Sequence, residues 1–271
     1  MPSADRPTIG EGTQYHIRCK PGDLAPYLLV PGDPERVSKI SSLWEDRREV
    51  AYHRQFRTHT GTYKGIPISA LSSGIGPAAM AIVVKEASDI GVQTIIRVGS
   101  TGAIQEGIRC GDLVISGAAV RLDSTGLSYA ELGFPAFASY EVLLALIEAA
   151  ESLGVRYHVG VTATTSDFYA GQERPIGPLH SRMGLIERLQ RLGVLNIEME
   201  CATLFVVSSL LKLRAGAVCA VYADRVHNVF EEGAGEMDAA RVACEAVRIL
   251  SVWDERLKKK GVKCFFPSAL L

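Results

Sequence analysis

The sequence predicts an α/β fold, a three-layer αβα sandwich with a mixed, mostly parallel central sheet. Three observations lead to this class. Apolar runs flanked by turn residues recur along the chain, and segments with a helical pattern lie between them. Most of the apolar runs are continuous, as expected for strands that are covered on both faces. The alternation continues without a linker or an internal repeat, which indicates a single domain over residues 1–271.

The strands and helices are predicted in chain order from these patterns. Ser139 and Gly154 suit the N-cap and the C-cap of the second helix. Two long segments without either pattern, 122–139 and 167–183, are expected to be functional loops. The predicted strands span 27–33, 66–74, 93–100, 112–120, 157–164 and 216–224, and the predicted helices span 77–91, 139–154, 198–216 and 237–260.

Composition and charge argue against several classes of protein. The 29 basic residues nearly balance the 30 acidic ones, so neither nucleic acid nor an anionic membrane is an expected partner. Apolar runs stay below the roughly 18 residues that span a bilayer, and the N-terminus lacks a signal peptide's apolar segment. The six cysteines are scattered and form no CxxC pair. We therefore expect a cytoplasmic protein with reduced thiols and no metal site.

Polar residues at the strand ends are the first candidates for a site, because open α/β sheets bind ligands beyond the carboxyl ends of their strands. In VPGDPERV, residues 30–37, Gly32 lets the backbone approach a ligand closely. Arg36 stands near the start of the helix expected to follow, where free N–H groups favour anions. The same composition also suits an ordinary turn, so this segment alone leaves both interpretations open.

Charged residues near two further strands require partners. In RVGSTGAI, residues 97–104, a buried and unpaired Arg97 would be costly, so it needs either a carboxylate or a bound anion. The segment lacks the GxGxxG spacing of a dinucleotide site. In NIEMECATLF, residues 196–205, Glu198 and Glu200 open the predicted helix, where they complement its dipole. Residues two apart on a helix point to different sides, so we expect at most one glutamate to face a given ligand.

The segment FYAGQER, residues 168–174, contributes little to a core. It combines an aromatic pair, a glycine, an amide and a guanidinium in seven residues without helical or strand periodicity. Such a segment either forms a surface turn or binds a planar molecule that has hydrogen-bond donors and acceptors along its edge.

These segments together resemble the nucleoside phosphorylase-I family over about residues 22–250. PGDPERV, YHRQF, SSGIG, RVGSTGAI, FYAGQER and EMECATLF occur in that family's order, and FYAGQER is similar to its uridine-cleaving branch. The resemblance implies a phosphorylase/hydrolase-like sandwich and a pentosyltransferase. Its expected reaction is the reversible phosphorolysis of uridine to uracil and α-D-ribose 1-phosphate in pyrimidine salvage. The alternatives are a purine nucleoside or methylthioadenosine phosphorylase, a hydrolase of the same fold and a non-catalytic sensor.

The resemblance also implies a role for each matching residue. The resemblance implies catalytic roles for Arg97, Gln172, Arg174 and Glu200. Uracil presents O2, N3–H and O4 in a row, which an amide and a guanidinium can match. The resemblance implies phosphate contacts from Gly32, Arg36, Arg54, Arg97 and Ser100, ribose contacts from His16, Met199 and Glu200, and base contacts from Phe168, Gln172, Arg174 and Arg225.

The resemblance further implies a homo-oligomer without an organic cofactor. Arg54 and His16 would be donated to a neighbouring subunit, so at least a dimer is expected, and the uridine branch usually forms a hexamer. Phosphate is a co-substrate. Gln55 stands where that branch has a glutamate for an interfacial monovalent cation, which argues against the ion here. Asp224 stands where purine enzymes have an acid, and we expect it to pair structurally with Arg225.

Overall fold

The computed structural model describes residues 3–10, 12–178, 184–266 and 268. Within them the strands are β1 (Thr8–Ile9), β2 (Thr13–Gln14), β3 (Tyr27–Val30), β4 (Glu45–His53), β5 (Phe56–Tyr63), β6 (Ile66–Leu71), β7 (Thr94–Ala103), β8 (Leu113–Leu122), β9 (Ala136–Phe137), β10 (Tyr157–Thr165), β11 (Asn196–Glu198), β12 (Arg214–Asp224) and β13 (Val229–Phe230). The helices are α1 (Pro34–Ser41), α2 (Pro77–Asp89), α3 (Tyr140–Leu153), α4 (Leu185–Arg191), α5 (Cys201–Leu210) and α6 (Glu236–Lys260).

Helices cover both faces of the central sheet and bury a separate apolar core on each. On one face, α1, α3 and α6 contribute residues such as Ile40, Leu146 and Leu250 to a core shared with the strands. On the other face, α2 and α5 contribute residues such as Met80 and Phe205. The predicted three-layer α/β class is therefore confirmed. The strands of the middle layer are mostly continuous apolar runs because both of their faces are buried.

The central sheet is mixed, and part of it closes on itself. Its strand order is β13-β12-β8-β10-β11-β7-β3-β6-β5-β4, and β12 also pairs with β7. Strands β3, β7 and β12 run parallel to one another, whereas β11 runs antiparallel to β7. As a result, the chain that leaves β11 travels back along β7 and brings residues 198–200 opposite the middle of that strand.

Several element boundaries agree with the sequence prediction and one segment does not. Ser139 and Gly154 do cap α3, and Gly154 takes a left-handed φ of 64°. The helix predicted over 198–216 is wrong at both ends. Glu198 ends β11, α5 ends at Leu210, and β12 begins at Arg214. This stretch is apolar throughout, so periodicity alone could not separate a buried helix from the strand that follows it.

A β-hairpin and a short helix are missing from the prediction. Strands β4 and β5 pair antiparallel around a turn at residues 54–55, and Arg54 in that turn has a φ of 56°. Strand β4 reads EDRREVAYH and is largely exposed, so it has no apolar run to reveal it. Helix α4 follows the predicted loop 167–183, of which residues 179–183 lie outside the described part of the chain.

The loop between β8 and α3 is ordered by one buried side chain. The guanidinium of Arg121 donates hydrogen bonds at 2.5–2.9 Å to backbone carbonyl oxygens of Gly126, Ala130, Glu131 and Phe134. Residues 126–128 form a 3₁₀ turn and β9 follows. One charged group thus replaces the hydrogen-bond partners that an irregular backbone lacks. Among the helices in the described ranges, none is long and apolar enough to cross a bilayer.

Candidate active site

A cavity of about 700 Å³ lies where the turns after β3 and β6 meet strands β7, β11 and β12 and the loop after β10. Most of the predicted site residues line it, and three do not: His16, Arg54 and Arg225. The predicted residues on its wall are Gly32, Arg36, Arg97, Ser100, Phe168, Gln172, Arg174, Met199 and Glu200.

Arg97 is buried between two glutamates. Its Nε lies 3.0 Å from Glu198 Oε2, and its Nη2 lies 2.5 Å from Glu200 Oε2. Both glutamates therefore face the same guanidinium. The expectation that at most one of them faces a given ligand concerns a different partner and stays a prediction. Glu198 ends a strand and Glu200 precedes the helix, so the helical geometry behind that expectation does not apply to them.

The three charges alter one another's titration. Burial alone would lower the pKa of Arg97, but the carboxylates of Glu200 and Glu198 raise it well above its ordinary value. Burial also raises the pKa of Glu200, and Arg97 only partly offsets that effect. Arg97 Nη1 is buried and has no hydrogen-bond partner in the described part of the chain. An unsatisfied buried donor costs about 1–3 kcal/mol, which a bound acceptor would recover.

The absence of a side chain at Gly99 makes room for Arg97. A Cβ at this position would lie 2.8 Å from Cys219 Sγ and 2.9 Å from Arg97 Cζ. Glycine therefore lets the guanidinium fold back over its own strand toward the glutamates. No sequence pattern marks this steric requirement at Gly99, because it is set by contacts with Cys219 and Arg97 in the folded sheet.

The first turn of α1 forms one end of the cavity. Asp33 caps the helix by accepting a hydrogen bond from the Glu35 N–H at 2.9 Å. Gly32 packs closely against the chain after β6, since a Cβ there would lie 3.3 Å from the carbonyl oxygen of Gly74. Arg36 is buried, and its Nη1 donates to the carbonyl oxygen of Val98 at 3.3 Å. Arg36 and the start of α1 favour an anion at this end, although Glu198 and Glu200 offset the charge of Arg97 beside it.

At the other end, two neighbours fix the orientation of the Gln172 amide. Arg174 Nη1 donates to Gln172 Oε1, and Gln172 Nε2 donates to Thr165 Oγ1 at 3.2 Å. A guanidinium can only donate, so the amide oxygen must face Arg174. Gln172 is 2% exposed. Thr165 was not predicted as a site residue, because its role depends on the fold of the loop.

Arg174 is held over an aromatic ring beside a second cation. Its Cζ lies 3.8 Å from the centre of the Phe168 ring, and its Nη1 also donates to the Phe168 carbonyl at 2.8 Å. Burial and the positive charge of Arg225 lower the pKa of Arg174 to about 10. The guanidinium therefore remains charged at neutral pH, and a negative partner would be favourable there. Arg225 supports the same loop by donating to the Gln172 carbonyl at 2.6 Å.

His16 and Arg54 lie together outside the cavity of their own subunit. The His16 ring and backbone N–H both contact the Glu86 carboxylate, with Nδ1 at 2.6 Å from Oε1. The Arg54 guanidinium lies 5.7 Å from the centre of the Tyr15 ring, and that ring packs edge-on against His16 at 4.8 Å. The two residues that the resemblance assigns to a neighbouring subunit thus form one surface patch.

Asp224 does not pair with Arg225, so that prediction is wrong. Its carboxylate accepts hydrogen bonds from the backbone N–H groups of Val226 and His227 at 3.0 Å. It also lies 2.8 Å from Nδ1 of His227. The chain turns immediately after β12, so the next side chains fold back onto the aspartate, whereas Arg225 points toward Gln172. Within the described residues, no group of three or more His, Cys, Asp and Glu side chains is arranged to hold a metal ion.

Comparison with known proteins decides the family. The model of the phosphorylase superfamily matches residues 26–250, which is most of the chain. The chain belongs to the phosphorylase superfamily. Within this superfamily it is 56% identical over 269 residues to a uridine phosphorylase from Thermococcus kodakarensis, covering 98% of this chain and 96% of that protein.

Two other relatives in this superfamily are named for different nucleosides. A uridine phosphorylase from Escherichia coli is 40% identical over 87% of this chain and 97% of its own length. A guanosine phosphorylase from Halorubrum lacusprofundi is 33% identical over 77% of this chain and 82% of its own length. The family therefore includes enzymes named for pyrimidine and for purine nucleosides.

Proposed function

We propose that this protein is a uridine phosphorylase, a pentosyltransferase that reversibly converts uridine and phosphate to uracil and α-D-ribose 1-phosphate. One observation carries the proposal. The Gln172 amide and the Arg174 guanidinium line the same cavity, with Gln172 Oε1 turned to Arg174, so together they offer a donor, an acceptor and a second donor. Uracil O2, N3–H and O4 form the complementary row of acceptor, donor and acceptor. The uridine phosphorylases at 56% and 40% identity support the same substrate, and we place the reaction in cytoplasmic pyrimidine salvage.

Phosphate would bind at the opposite end of the cavity. Arg36, Arg97, Ser100 and the backbone at Gly32 surround that end. The unpaired Nη1 of Arg97 would gain an acceptor. Arginines neutralise the charge of phosphate and hold it beside the anomeric carbon, and such positioning can supply on the order of 7–11 kcal/mol of the barrier.

Ribose would lie between phosphate and base, against Met199 and Glu200. Glu200 already forms an ion pair with Arg97 and accepts a hydrogen bond from the backbone N–H of Gly76 at 2.5 Å. A carboxylate has about four acceptor positions, so two are left for sugar hydroxyls. Arg97 thereby links the ribose contact to the phosphate contact.

The chain's own residues account for both charges that develop during the reaction. As the glycosidic bond lengthens, the ribose becomes positively charged, and the phosphate held by Arg36 and Arg97 stabilises it. The departing uracil gains negative charge on O2 and O4. Gln172 Nε2 and the Arg174 guanidinium donate to those two atoms, and a well-placed donor is worth about 3–4 kcal/mol in the transition state. Phosphate is the co-substrate, and this sequence of steps uses no organic cofactor.

The purine alternative has weaker support at the base end. Ala223 lines the cavity, whereas the Asp224 carboxylate is engaged by His227 and two backbone N–H groups. A carboxylate held in this way is not available to donate a proton to a purine ring. The guanosine phosphorylase relative is also less similar, at 33% identity.

The proposal is tested by release of free base from purified protein. We expect uracil from uridine only when phosphate is present, and a much lower rate with inosine or methylthioadenosine. Release in phosphate-free buffer would indicate a hydrolase, and a higher rate with a purine nucleoside would indicate the purine alternative. Tight binding of uridine with no release of base would indicate a sensor.

We also propose that the active unit is a homo-oligomer, at least a dimer and in the family's usual form a hexamer. The support is the patch of His16, Tyr15 and Arg54, which lies outside the cavity of its own subunit. Donated to a neighbour, Arg54 would complete the phosphate site and His16 would reach the ribose 5′-hydroxyl. The Gln55 side chain packs closely against Gly74, and an interfacial cation is not part of the proposal.

Subunit complementation tests the donation of Arg54. The Arg54→Ala and Arg174→Ala variants are each expected to be nearly inactive. When the two variants are co-expressed, about half of the dimers should be mixed, and each mixed dimer keeps one intact site out of two. The preparation should therefore regain about a quarter of the wild-type rate. Arg54→Ala co-expressed with itself is the control. If co-expression restores nothing while mixed oligomers are isolated, Arg54 acts within its own subunit or not at all.

A further inference from the structure

Arg36 contacts Tyr222 and Glu236, and Lys39 pairs with Glu236. The proposed function gives these three side chains no part, although Tyr222 also lines the cavity. We name Arg36, Lys39, Tyr222 and Glu236 the Arg36 cluster. Arg36 Nη2 donates to Tyr222 Oη at 3.2 Å, and Tyr222 Oη donates to the Glu236 carboxylate. Glu236 Oε1 lies 2.8 Å from Lys39 Nζ, and its Oε2 lies 3.5 Å from Arg36 Nε.

The chemistry of the cluster fixes the direction of the tyrosine hydroxyl. Burial alone would raise the pKa of Glu236, but hydrogen bonds from Lys39 and Tyr222 and nearby positive charge lower it. An ionised carboxylate can only accept, so the tyrosine proton must point to Glu236. Burial and the bond to Glu236 raise the pKa of Tyr222, so that proton stays in place. The hydroxyl oxygen therefore turns its lone pairs toward Arg36.

These contacts leave Arg36 fixed but still able to bind an anion. The Val98 carbonyl accepts from Nη1 and the Tyr222 hydroxyl accepts from Nη2. Each terminal nitrogen of a guanidinium carries two hydrogens, so one on each remains for phosphate. Lys39 balances the charge of Glu236, and Arg36 thus keeps its positive charge for a ligand. A donor fixed before binding loses less conformational freedom when the ligand arrives.

We propose that Tyr222, oriented by Glu236, is a positioning residue that holds Arg36 ready for phosphate. The inference rests on the proposed function, because that function makes the Arg36 end of the cavity the phosphate end. Sequence patterns give no sign of this role. Tyr222 stands in an apolar strand, and Glu236 opens a helix where an acidic residue is ordinary.

The Tyr222→Phe variant tests this role, because it keeps the ring and the charges and removes only the bridging hydroxyl. We expect the KM for phosphate to rise about tenfold, the loss that follows from one hydrogen bond to a charged group. The KM for uridine and the kcat at saturating phosphate should change by less than about twofold, which a general structural defect would not achieve. An unchanged KM for phosphate would overturn the inference.

A matched control exists on the same long helix. Tyr63 Oη donates to Glu245 Oε2 at 3.2 Å, and Lys64 Nζ lies 2.8 Å from the same carboxylate. This tyrosine, glutamate and lysine repeat the chemistry of the Arg36 cluster but contribute nothing to the cavity wall as described. The Tyr63→Phe variant should leave both KM values at the wild-type level. A rise in its KM for phosphate comparable to that of Tyr222→Phe would overturn the inference.

The Glu236→Gln variant separates positioning from simple charge. If Glu236 only competed with phosphate for Arg36, its neutralisation would lower the KM for phosphate. Positioning predicts the opposite, since an amide can donate as well as accept and no longer fixes the hydroxyl. A rise in this KM supports the inference and a fall overturns it, and the variant supplies the test even if Tyr222→Phe does not fold.

Calorimetric titration with inorganic phosphate alone distinguishes a failure of this inference from a failure of the proposed function. If the wild-type protein binds phosphate but does not release uracil, the proposed function fails. Weaker phosphate binding by Tyr222→Phe would then still support positioning. If the wild type cleaves uridine and the Tyr222→Phe variant binds phosphate equally well, the inference fails and the proposed function stands.

Discussion

The Arg174→Ala variant is expected to have a kcat lower by a factor of about 10² to 10³, with a KM for uridine within a few-fold of wild type. Uridine in the ground state is neutral at its base, so the hydrogen bond from Arg174 to O4 adds less to substrate binding than to the transition state. The charge on O4 develops only as the bond breaks, and the guanidinium then acts in a half-buried site. Steady-state kinetics at saturating phosphate measure both parameters.

Two further variants control for the loss of one arginine. Arg241 is exposed and, within the described part of the chain, pairs with Asp238 three residues away, so Arg241→Ala should have wild-type kinetics. Arg174→Lys keeps the charge but not the paired donors that contact Phe168 and Gln172, and it should recover only part of the rate. If Arg174→Ala raises KM and leaves kcat intact, Arg174 is a binding residue and the leaving-group role is wrong.

The second large effect is expected at Arg97, where activity and stability should fall together. In the Arg97→Met variant, Glu198 and Glu200 would stay buried without their cation. Breaking a buried ion pair from one side costs about 3–5 kcal/mol of unfolding free energy. Urea unfolding measures the change. The control is Arg214→Met, since Arg214 pairs with Asp254 at 2.7 Å in a more exposed place away from the cavity and should lose less.

The destabilisation of Arg97→Met should depend on pH in a defined direction. Burial and the neighbouring carboxylate already raise the pKa of Glu200, and removal of the cation raises it further. The folded variant then binds protons more tightly than the unfolded chain, so its stability falls as pH rises. The difference from wild type should be smaller at pH 5 than at pH 8. A difference that is the same at both values would mean that packing, not charge, dominates at Arg97.

The layered fold was predictable from the sequence because its strands and helices have strong apolar patterns. Strand β4 shows where such prediction ends, since its charged and exposed sequence hides an antiparallel hairpin. Helix α5 shows another, because it and the following strand are both buried on all sides. In both cases the burial of the final structure, and not local preference, decides the element.

Most of the predicted site residues line one cavity, but the contacts between them could not be predicted from the sequence. The family resemblance identified Gln172 and Arg174, but only the fold brings Thr165 against the amide of Gln172. The pairing of Arg97 with two glutamates depends on β11 running antiparallel to β7, which no short segment encodes. Asp224 was expected to pair with its sequence neighbour Arg225, whereas the turn after β12 brings its carboxylate into contact with the His227 ring.

A crystal structure with uracil and ribose 1-phosphate bound would test most directly the claim that the loop 168–174 accepts the charge of a departing pyrimidine. The expected result places uracil O2, N3 and O4 within about 3.2 Å of Gln172 Nε2, Gln172 Oε1 and Arg174, with the phosphate group against Arg36 and Arg97. Uracil bound elsewhere, with Gln172 and Arg174 turned away from it, would contradict the account.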